Sequence, residues 1–351
     1  MKLGLGLDIY NKSQLLLPTE AVIQAEKNGF HSVWTAEAYG IDALSPLAYL
    51  AAVTKRIKLG TAVVQVAART PAATAMHAMT IDALAGGNRT IIGLGVSGPQ
   101  IVEGWYGRPW GSPHYWLRDY VAIMRKVLER QIPVEHKGRQ IQLPFEGEGA
   151  IGQGKALKSI LHPSDGIQIW IASGAPMNTA LAAEVADGWL PMGYGPDGWE
   201  IHGPNLEKGF QIRADDAVPK SEFQLFTNLT VEITDDIQAA IDKRKPMTAM
   251  YVGGMGSKEH NFHRDSMARR GFPEQANLIQ ERWLAGDKEG AVRAVPDEYI
   301  DMGGLFGPEE RIRERYPLTV TQGVTGQILR STDLATIELI AEIVSDHSGL
   351  G

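Results

Sequence analysis

The chain lacks cysteine, a basic excess and any long apolar run. Without cysteine there can be no disulfide, thiolate metal site or thiol nucleophile. A net charge of -7 at pH 7 leaves no basic stripe for phosphodiesters, so we expect no nucleic-acid partner. No apolar run reaches the ~20 residues that span a bilayer, and Asp8 arrives too early for a signal peptide. We therefore expect a cytoplasmic protein with no membrane segment.

What the chain does have is a regular alternation of strands and helices. Its 351 residues, 44% of them hydrophobic, can bury a large α/β core. Apolar, β-branched runs predict eight strands, at 2–7, 31–35, 57–65, 90–95, 167–172, 188–191, 223–233 and 324–329. Helical patterns separate them without a break in composition. This alternation favours a single (β/α)8 TIM barrel over two domains.

Two insertions explain the length beyond the ~250 residues of a simple barrel. Residues 131–163 are rich in Gly and Pro and carry an alternating segment at 134–143, which predicts a hairpin and a loop. Residues 243–316 are helical in pattern and rich in Arg, Glu and Met, and we expect them to form a lid or an oligomer face. We therefore predict one domain, 1–351, with two insertions.

The third and fourth predicted strands enclose the best-defined helix. Thr70 is a helix N-cap with Pro71 at the first helical position, and Gly86-Gly87 stops the helix. The ends of the two strands, Gln65-Val66 and Gly95 to Gly98, should then lie side by side at the carboxyl rim of a parallel sheet. Ligands of α/β enzymes bind at that rim.

The run Gly93-Leu-Gly95-Val96-Ser97-Gly98 has the form of a dinucleotide-binding fingerprint. Its context excludes that interpretation, because three strands precede it and Pro99 follows where a helix should open. Two interpretations remain: the glycines shape a turn, or they let the backbone approach a flat or phosphorylated ligand closely.

A second small-residue turn follows the fifth strand. Ala172, Ser173, Gly174, Ala175 and Pro176 run into a helix whose first N–H groups can bind an anion. The alternative is an ordinary strand-to-helix turn.

Few polar side chains are expected at the rim. Glu37 follows the second strand and is either a polar partner for a cofactor ring, a proton donor or acceptor, or a solvated loop carboxylate. Asp8, after the first strand, has the same ambiguity. His260 and His263 have a metal-ligand spacing, but no third ligand is evident, so we predict no metal.

These motifs carry a family resemblance over nearly the whole chain. In their order, the chain resembles the luciferase-like monooxygenase superfamily, and within it the actinobacterial oxidoreductases dependent on the deazaflavin coenzyme F420. The motifs lie at 30–37, 56–64, 69–71, 84–89, 93–99, 104–107 and 183–190.

The resemblance implies a (β/α)8 barrel that binds F420, or alternatively FMN, at its carboxyl rim. It implies a bulge with a non-prolyl cis peptide at or next to Gln65-Val66, and a cofactor path along Gly95 to Gly98 and Ala172 to Pro176. Several relatives have a histidine at the position of Glu37. Relatives are usually dimers or multiples of dimers.

The activity implied is hydride transfer between reduced F420 and an unsaturated or carbonyl-containing small molecule, which stacks beneath the loop 105–110. Two alternatives stay open: an FMN-dependent monooxygenase that uses dioxygen, and a cofactor-binding protein without turnover.

Overall fold

Eight parallel strands close into a barrel in this computed structural model, which describes residues 1–10, 12–255 and 261–348. Each strand pairs with the next in chain order, and the eighth pairs with the first. The predicted barrel is therefore confirmed. The barrel strands are Lys2–Gly6, Ser32–Thr35, Lys58–Thr61, Thr90–Gly95, Gln168–Ser173, Gly188–Pro191, Gln224–Ile233 and Gly326–Leu329.

Helices surround the barrel and connect its strands. The Thr70 hydroxyl accepts the backbone N–H of Ala73 at 3.3 Å, as its predicted N-cap role requires. No helix in the described part of the chain is both long and apolar enough to cross a membrane. The helices outside the insertions are Thr19–Lys27, Ser45–Val53, Pro71–Leu84, Pro99–Val102, Pro113–Glu129, Pro176–Val185, Gly198–Gln211 and Leu334–Ser348. The short helix Pro99–Val102 lies where a loop was predicted.

The third strand is broken, although the sequence predicted it as continuous. Its register against the fourth strand passes from Gly60 opposite Ile91 to Val64 opposite Leu94, so four steps on one strand face three on the other. This extra residue is a bulge. A cis peptide joins Ala62 to Val63 there. Placing it at or next to Gln65-Val66 was wrong, because pairing with the fourth strand has already resumed at those residues.

An aromatic layer fills the middle of the barrel. The rings of Trp34 and Trp170 lie 5.1 Å apart, and those of Trp170 and Phe226 lie 5.0 Å apart. Inward-facing glycines on neighbouring strands make room for these rings: a Cβ at Gly60 or Gly188 would come within 2.5 Å of Trp34 or Trp170 respectively. A ligand must therefore lie above this layer, at one end of the barrel.

The first insertion forms the predicted hairpin, His136–Lys137 paired with Gln142–Leu143 in antiparallel orientation. The second insertion is helical as predicted and buries an apolar cluster of its own. It also contains the strand Gly304–Gly307, which pairs in parallel with the carboxyl half of the seventh barrel strand and was not predicted. The helices from Asp236 to the eighth strand are Ile237–Asp242, Lys245–Gly254, Phe262–Arg269, Pro273–Leu284, Lys288–Arg293, Asp297–Asp301 and Glu309–Arg315.

Candidate active site at the barrel mouth

The floor of the barrel mouth is apolar on one side and polar on the other. Ala62, Val63 and Ala172 pack on the aromatic layer and stay partly exposed. Because alternate strand residues share a face, Asn228 and Arg330 also face the mouth, two positions beyond Phe226 and Ile328. Neither residue was predicted from the sequence: Asn228 lies in the middle of the predicted strand 223–233, and Arg330 directly follows the predicted strand 324–329. A planar ligand can lie on the apolar side with polar groups beside it.

The loop from Gly95 to Gly98 borders this floor. Ser97 is exposed and adopts a left-handed conformation, with φ of 59°. This costs a non-glycine residue about 1 kcal/mol, and such residues concentrate at ligand sites. Val96, half-buried, packs against the core. The predicted contact of this loop with a cofactor stays a prediction, now supported by its place beside the floor.

Gly95 has a structural reason to be glycine. A Cβ there would lie 2.6 Å from Cγ2 of Val63, the bulge residue. The missing side chain therefore admits the bulge. Any contact of Gly95 with a ligand has to be made by its backbone.

The turn after the fifth strand divides its residues between the mouth and the core. Ala172 faces the mouth, whereas the Ser173 hydroxyl is buried and accepts the Trp189 indole N–H at 2.9 Å. Ala175 and Pro176 are exposed, and no side chain caps the helix that begins at Pro176. Its first backbone N–H groups are thus free of a side-chain cap, as the anion-binding interpretation requires. Gly174, which lies between Ser173 and Ala175, is buried.

Glu37 is a buried, fully engaged carboxylate. Its Oε1 accepts hydrogen bonds from Arg69 at 2.6 Å and from the backbone N–H of Gln65 at 2.9 Å. Its Oε2 accepts from Arg69 at 2.9 Å and from the backbone N–H of Ala43 at 3.1 Å. With 8% of its surface exposed, Glu37 is not a solvated loop carboxylate, so that alternative was wrong. Its direct role in proton transfer stays a prediction.

Gln65 and Val66 are buried rather than open to the mouth. The Gln65 amide donates to the backbone carbonyls of Glu37 and Ala38 at 3.1 and 3.3 Å. Since the bulge comes earlier than expected, Val63 takes the place on the floor that the resemblance gave to Gln65 and Val66.

Asp8 forms an ion pair with Arg330 across the first and eighth strands. The Arg330 side chain crosses above Gly6, where an added Cβ would lie 3.0 Å from Arg330 Cδ. Burial lowers the pKa of Arg330 to about 10, so the guanidinium is charged at neutral pH. The mouth therefore contains a fixed ion pair whose guanidinium stays charged.

Aromatic side chains border the opening near Glu37. Tyr39 and Trp105 are largely exposed, and their rings meet edge to face at 6.4 Å. The Tyr106 hydroxyl donates to the carbonyl of Ala38 at 3.1 Å, which fastens this loop to the second strand. These rings are available to cover an apolar substrate.

The histidine pair offers no evidence for a metal. His260 lies outside the described residues, and burial lowers the pKa of His263. Within residues 1–10, 12–255 and 261–348, no group of three or more His, Asp or Glu side chains could hold a metal ion.

Comparison with known proteins connects this site to a family. Residues 19–326 match the profile described as luciferase-like monooxygenase. The chain is 41% identical over 345 residues to a Mycobacterium tuberculosis protein provisionally named a coenzyme F420-dependent oxidoreductase, covering 98% of this chain and 99% of that protein. It is 27% identical to the 5,10-methylenetetrahydromethanopterin reductase of Archaeoglobus fulgidus, over 91% of each chain. Among solved structures, the coenzyme F420-dependent tetrahydromethanopterin reductase of Methanopyrus kandleri superposes with a TM-score of 0.77 over 99% of both chains, at 24% identity.

Proposed function

Because the chain belongs to the luciferase-like monooxygenase family, we propose that it is an F420-dependent oxidoreductase. It transfers a hydride between reduced F420 and an unsaturated or carbonyl-type small organic substrate. The observation that carries this proposal is the 41% identity, over nearly the whole of both chains, to a protein named for that cofactor and reaction class.

The described residues fit a flat ring with a phosphorylated tail. The partly exposed floor of Ala62, Val63 and Ala172 would support the ring face. The uncapped helix start at Pro176 suits an anionic tail, and the strained Ser97 loop follows the strand that pairs with the fifth. When bound, reduced F420 would supply the hydride from its deazaflavin ring.

The protein's own contribution is alignment, exclusion of water and fixed charge. The aromatic layer closes the barrel below the floor, so solvent is kept from that side. The rings of Tyr39 and Trp105 would hold an apolar substrate from above. The Arg330 guanidinium would stabilise negative charge that develops on a substrate oxygen or nitrogen.

A cofactor titration tests this proposal. Purified protein is titrated with F420 and with FMN while cofactor fluorescence is recorded. We expect saturable F420 binding, followed by oxidation of reduced F420 when enones, imines or aldehydes are added. Tight binding of FMN without binding of F420 would instead support the monooxygenase alternative. Saturable F420 binding without turnover on any substrate would support a binding protein.

We also propose that the protein is cytoplasmic and forms a homodimer or a larger homo-oligomer. Several large apolar side chains of the first insertion are exposed, which is typical of protein interfaces. They are Ile132, Phe145, Ile151, Leu157, Ile160 and Leu161. Light scattering after size exclusion should give a multiple of 38.2 kDa, and Ile160→Glu should lower the assembled fraction. A monomer at all concentrations would contradict the proposal.

A further inference from the structure

A cavity of about 280 Å³ lies beside the seventh strand, apart from the cofactor floor. The sixth and seventh strands pair only at their first two residues, and the cavity occupies the wedge where they then separate. Tyr194 and Gly195 line it from the loop after the sixth strand, and Gly304 lines it from the second insertion. Its volume is close to the ~300 Å³ at which small-molecule pockets begin.

Three buried polar atoms of residues that line this cavity have no hydrogen-bond partner in the described structure. They are Nε of Arg270, Nε of Arg315 and Oε1 of Gln327. Gln327 is 1% exposed. Buried polar groups are nearly always satisfied in folded proteins, by water or by a ligand where the protein supplies no partner. These three atoms are covered by protein, so they mark a polar wall rather than open donor sites, and the charge at the cavity is carried by the guanidinium groups.

The two arginines differ in charge balance. Arg315 forms an ion pair with the carboxylate of Asp301 at 3.0 Å. Arg270 has no ion pair with any described carboxylate, including Asp197 on the facing loop, and its described charge contact is the ring of Tyr299 at 5.1 Å. A half-buried guanidinium without a counter-ion favours an anionic ligand.

The remaining lining combines apolar residues and glycines with polar residues such as Thr227 and Thr319, so the ligand should be amphipathic. Leu318 contributes an exposed apolar side chain, Leu229 and Leu305 belong to the buried core behind the cavity, and Gly303 and Gly304 leave space. Asn228 also lines the cavity and faces the barrel mouth. Thr227 and Leu229 line the cavity from the opposite face of the seventh strand, so a ligand anchored at Arg270 reaches the mouth through the gap between the sixth and seventh strands.

We propose that this cavity binds the anionic end of the substrate, a carboxylate or phosphate, with Arg270 as the residue that recognises its charge. The anion-binding site is inferred from the cavity alone. Its assignment to the substrate rests on the proposed function, since only then does the reducible end of the same molecule lie over the floor.

Binding without cofactor tests the site first. Saturation-transfer NMR measures the affinity of hexanoate, 1-hexanol and inorganic phosphate for wild-type protein and for Arg270→Gln. We expect hexanoate to bind at least tenfold more tightly than 1-hexanol, and Arg270→Gln to remove most of that difference, because a charged hydrogen bond is lost. Arg293→Gln removes the same charge from an exposed helix of the same insertion and should change nothing.

Leu318→Trp provides a second, independent variant. Leu318 is 65% exposed at the edge of the cavity, so a larger side chain there should fold and obstruct entry. We expect it to weaken hexanoate binding.

The proposal is overturned if hexanoate binds equally to wild type, Arg270→Gln and Leu318→Trp, or if 1-hexanol binds as well as hexanoate. Competition by phosphate would identify a general oxyanion site, whereas hexanoate binding without competition would identify a carboxylate site; both outcomes support it.

Turnover then tests the assignment to the substrate. An enone that carries a carboxylate is compared with its methyl ester, using reduced F420. Arg270→Gln should raise KM for the acid about tenfold or more, with little change in kcat or in either constant for the ester. Equal KM changes for acid and ester would overturn the assignment. Absence of turnover in wild type, with hexanoate binding intact, would instead refute the proposed function.

Discussion

The two terminal nitrogens of Arg69 donate hydrogen bonds to the two carboxylate oxygens of Glu37, at 2.6 and 2.9 Å. The same carboxylate holds the backbone N–H of Gln65, three residues after the cis peptide bond. This pair thereby fastens the bulge in the third strand to the end of the second. The shape of the floor depends on an interaction outside it.

We predict that Glu37→Gln lowers the free energy of unfolding by about 2–3 kcal/mol, because it leaves a largely buried guanidinium without its counter-charge. Urea unfolding, followed by tryptophan fluorescence, measures the loss. Glu289→Gln, at a 91% exposed side chain, is the matched control. Unchanged stability with hydride transfer abolished at saturating cofactor would instead assign Glu37 a direct role in proton transfer.

Two glycines of the same loop should respond differently to alanine. Gly95→Ala forces a Cβ against Val63, so we expect a loss of about 2 kcal/mol or more in stability. Gly98→Ala meets only the end of the flexible Gln100 side chain, at 3.0 Å, so we expect normal stability and weaker F420 binding. Thermal melts and cofactor titrations measure both. Identical behaviour of the two variants would refute this division.

His31 should make stability depend on pH. Burial, followed by the charges of Lys2 and Lys58, lowers the pKa of its imidazole to about 4. Between pH 6.5 and 4 the unfolded state therefore binds more protons than the folded state, and stability falls as pH falls. The stabilisation, roughly 3 kcal/mol, is fully present above pH 6.5. Urea unfolding across this range should show a shallower slope for His31→Gln than for the exposed control His77→Gln; equal slopes would contradict the prediction.

Arg330→Gln should slow hydride transfer strongly and have only a small effect on the free energy of unfolding. Its charge faces the mouth, and removal of one such electrostatic group typically costs about 100- to 1,000-fold in rate. Single-turnover oxidation of reduced F420 measures the effect. Asp8→Asn should have a smaller effect, since the guanidinium remains. Arg313→Gln, at a surface ion pair with Glu342, serves as control; a rate unchanged by Arg330→Gln would remove this residue from the mechanism.

The sequence by itself determined the features that depend on interactions between neighbouring residues. Apolar, β-branched runs located all eight barrel strands, and Thr70 with Pro71 located a helix start, because capping and strand propensity act over a few residues. Small residues at strand ends located the rim. The hairpin at 134–143 followed from the same local pattern.

Only tertiary structure decided what those residues contact. The position of the bulge depends on register between two strands, so the family resemblance placed it at or next to Gln65-Val66, whereas it lies at Val63. The pairs Glu37–Arg69 and Asp8–Arg330 join residues that lie 32 and 322 positions apart, and they meet because the barrel closes. The cavity at Arg270 likewise exists because an insertion packs beside a strand already extended past the barrel. Local propensity reflects only residues close in sequence, whereas burial and charge pairing are properties of the closed fold.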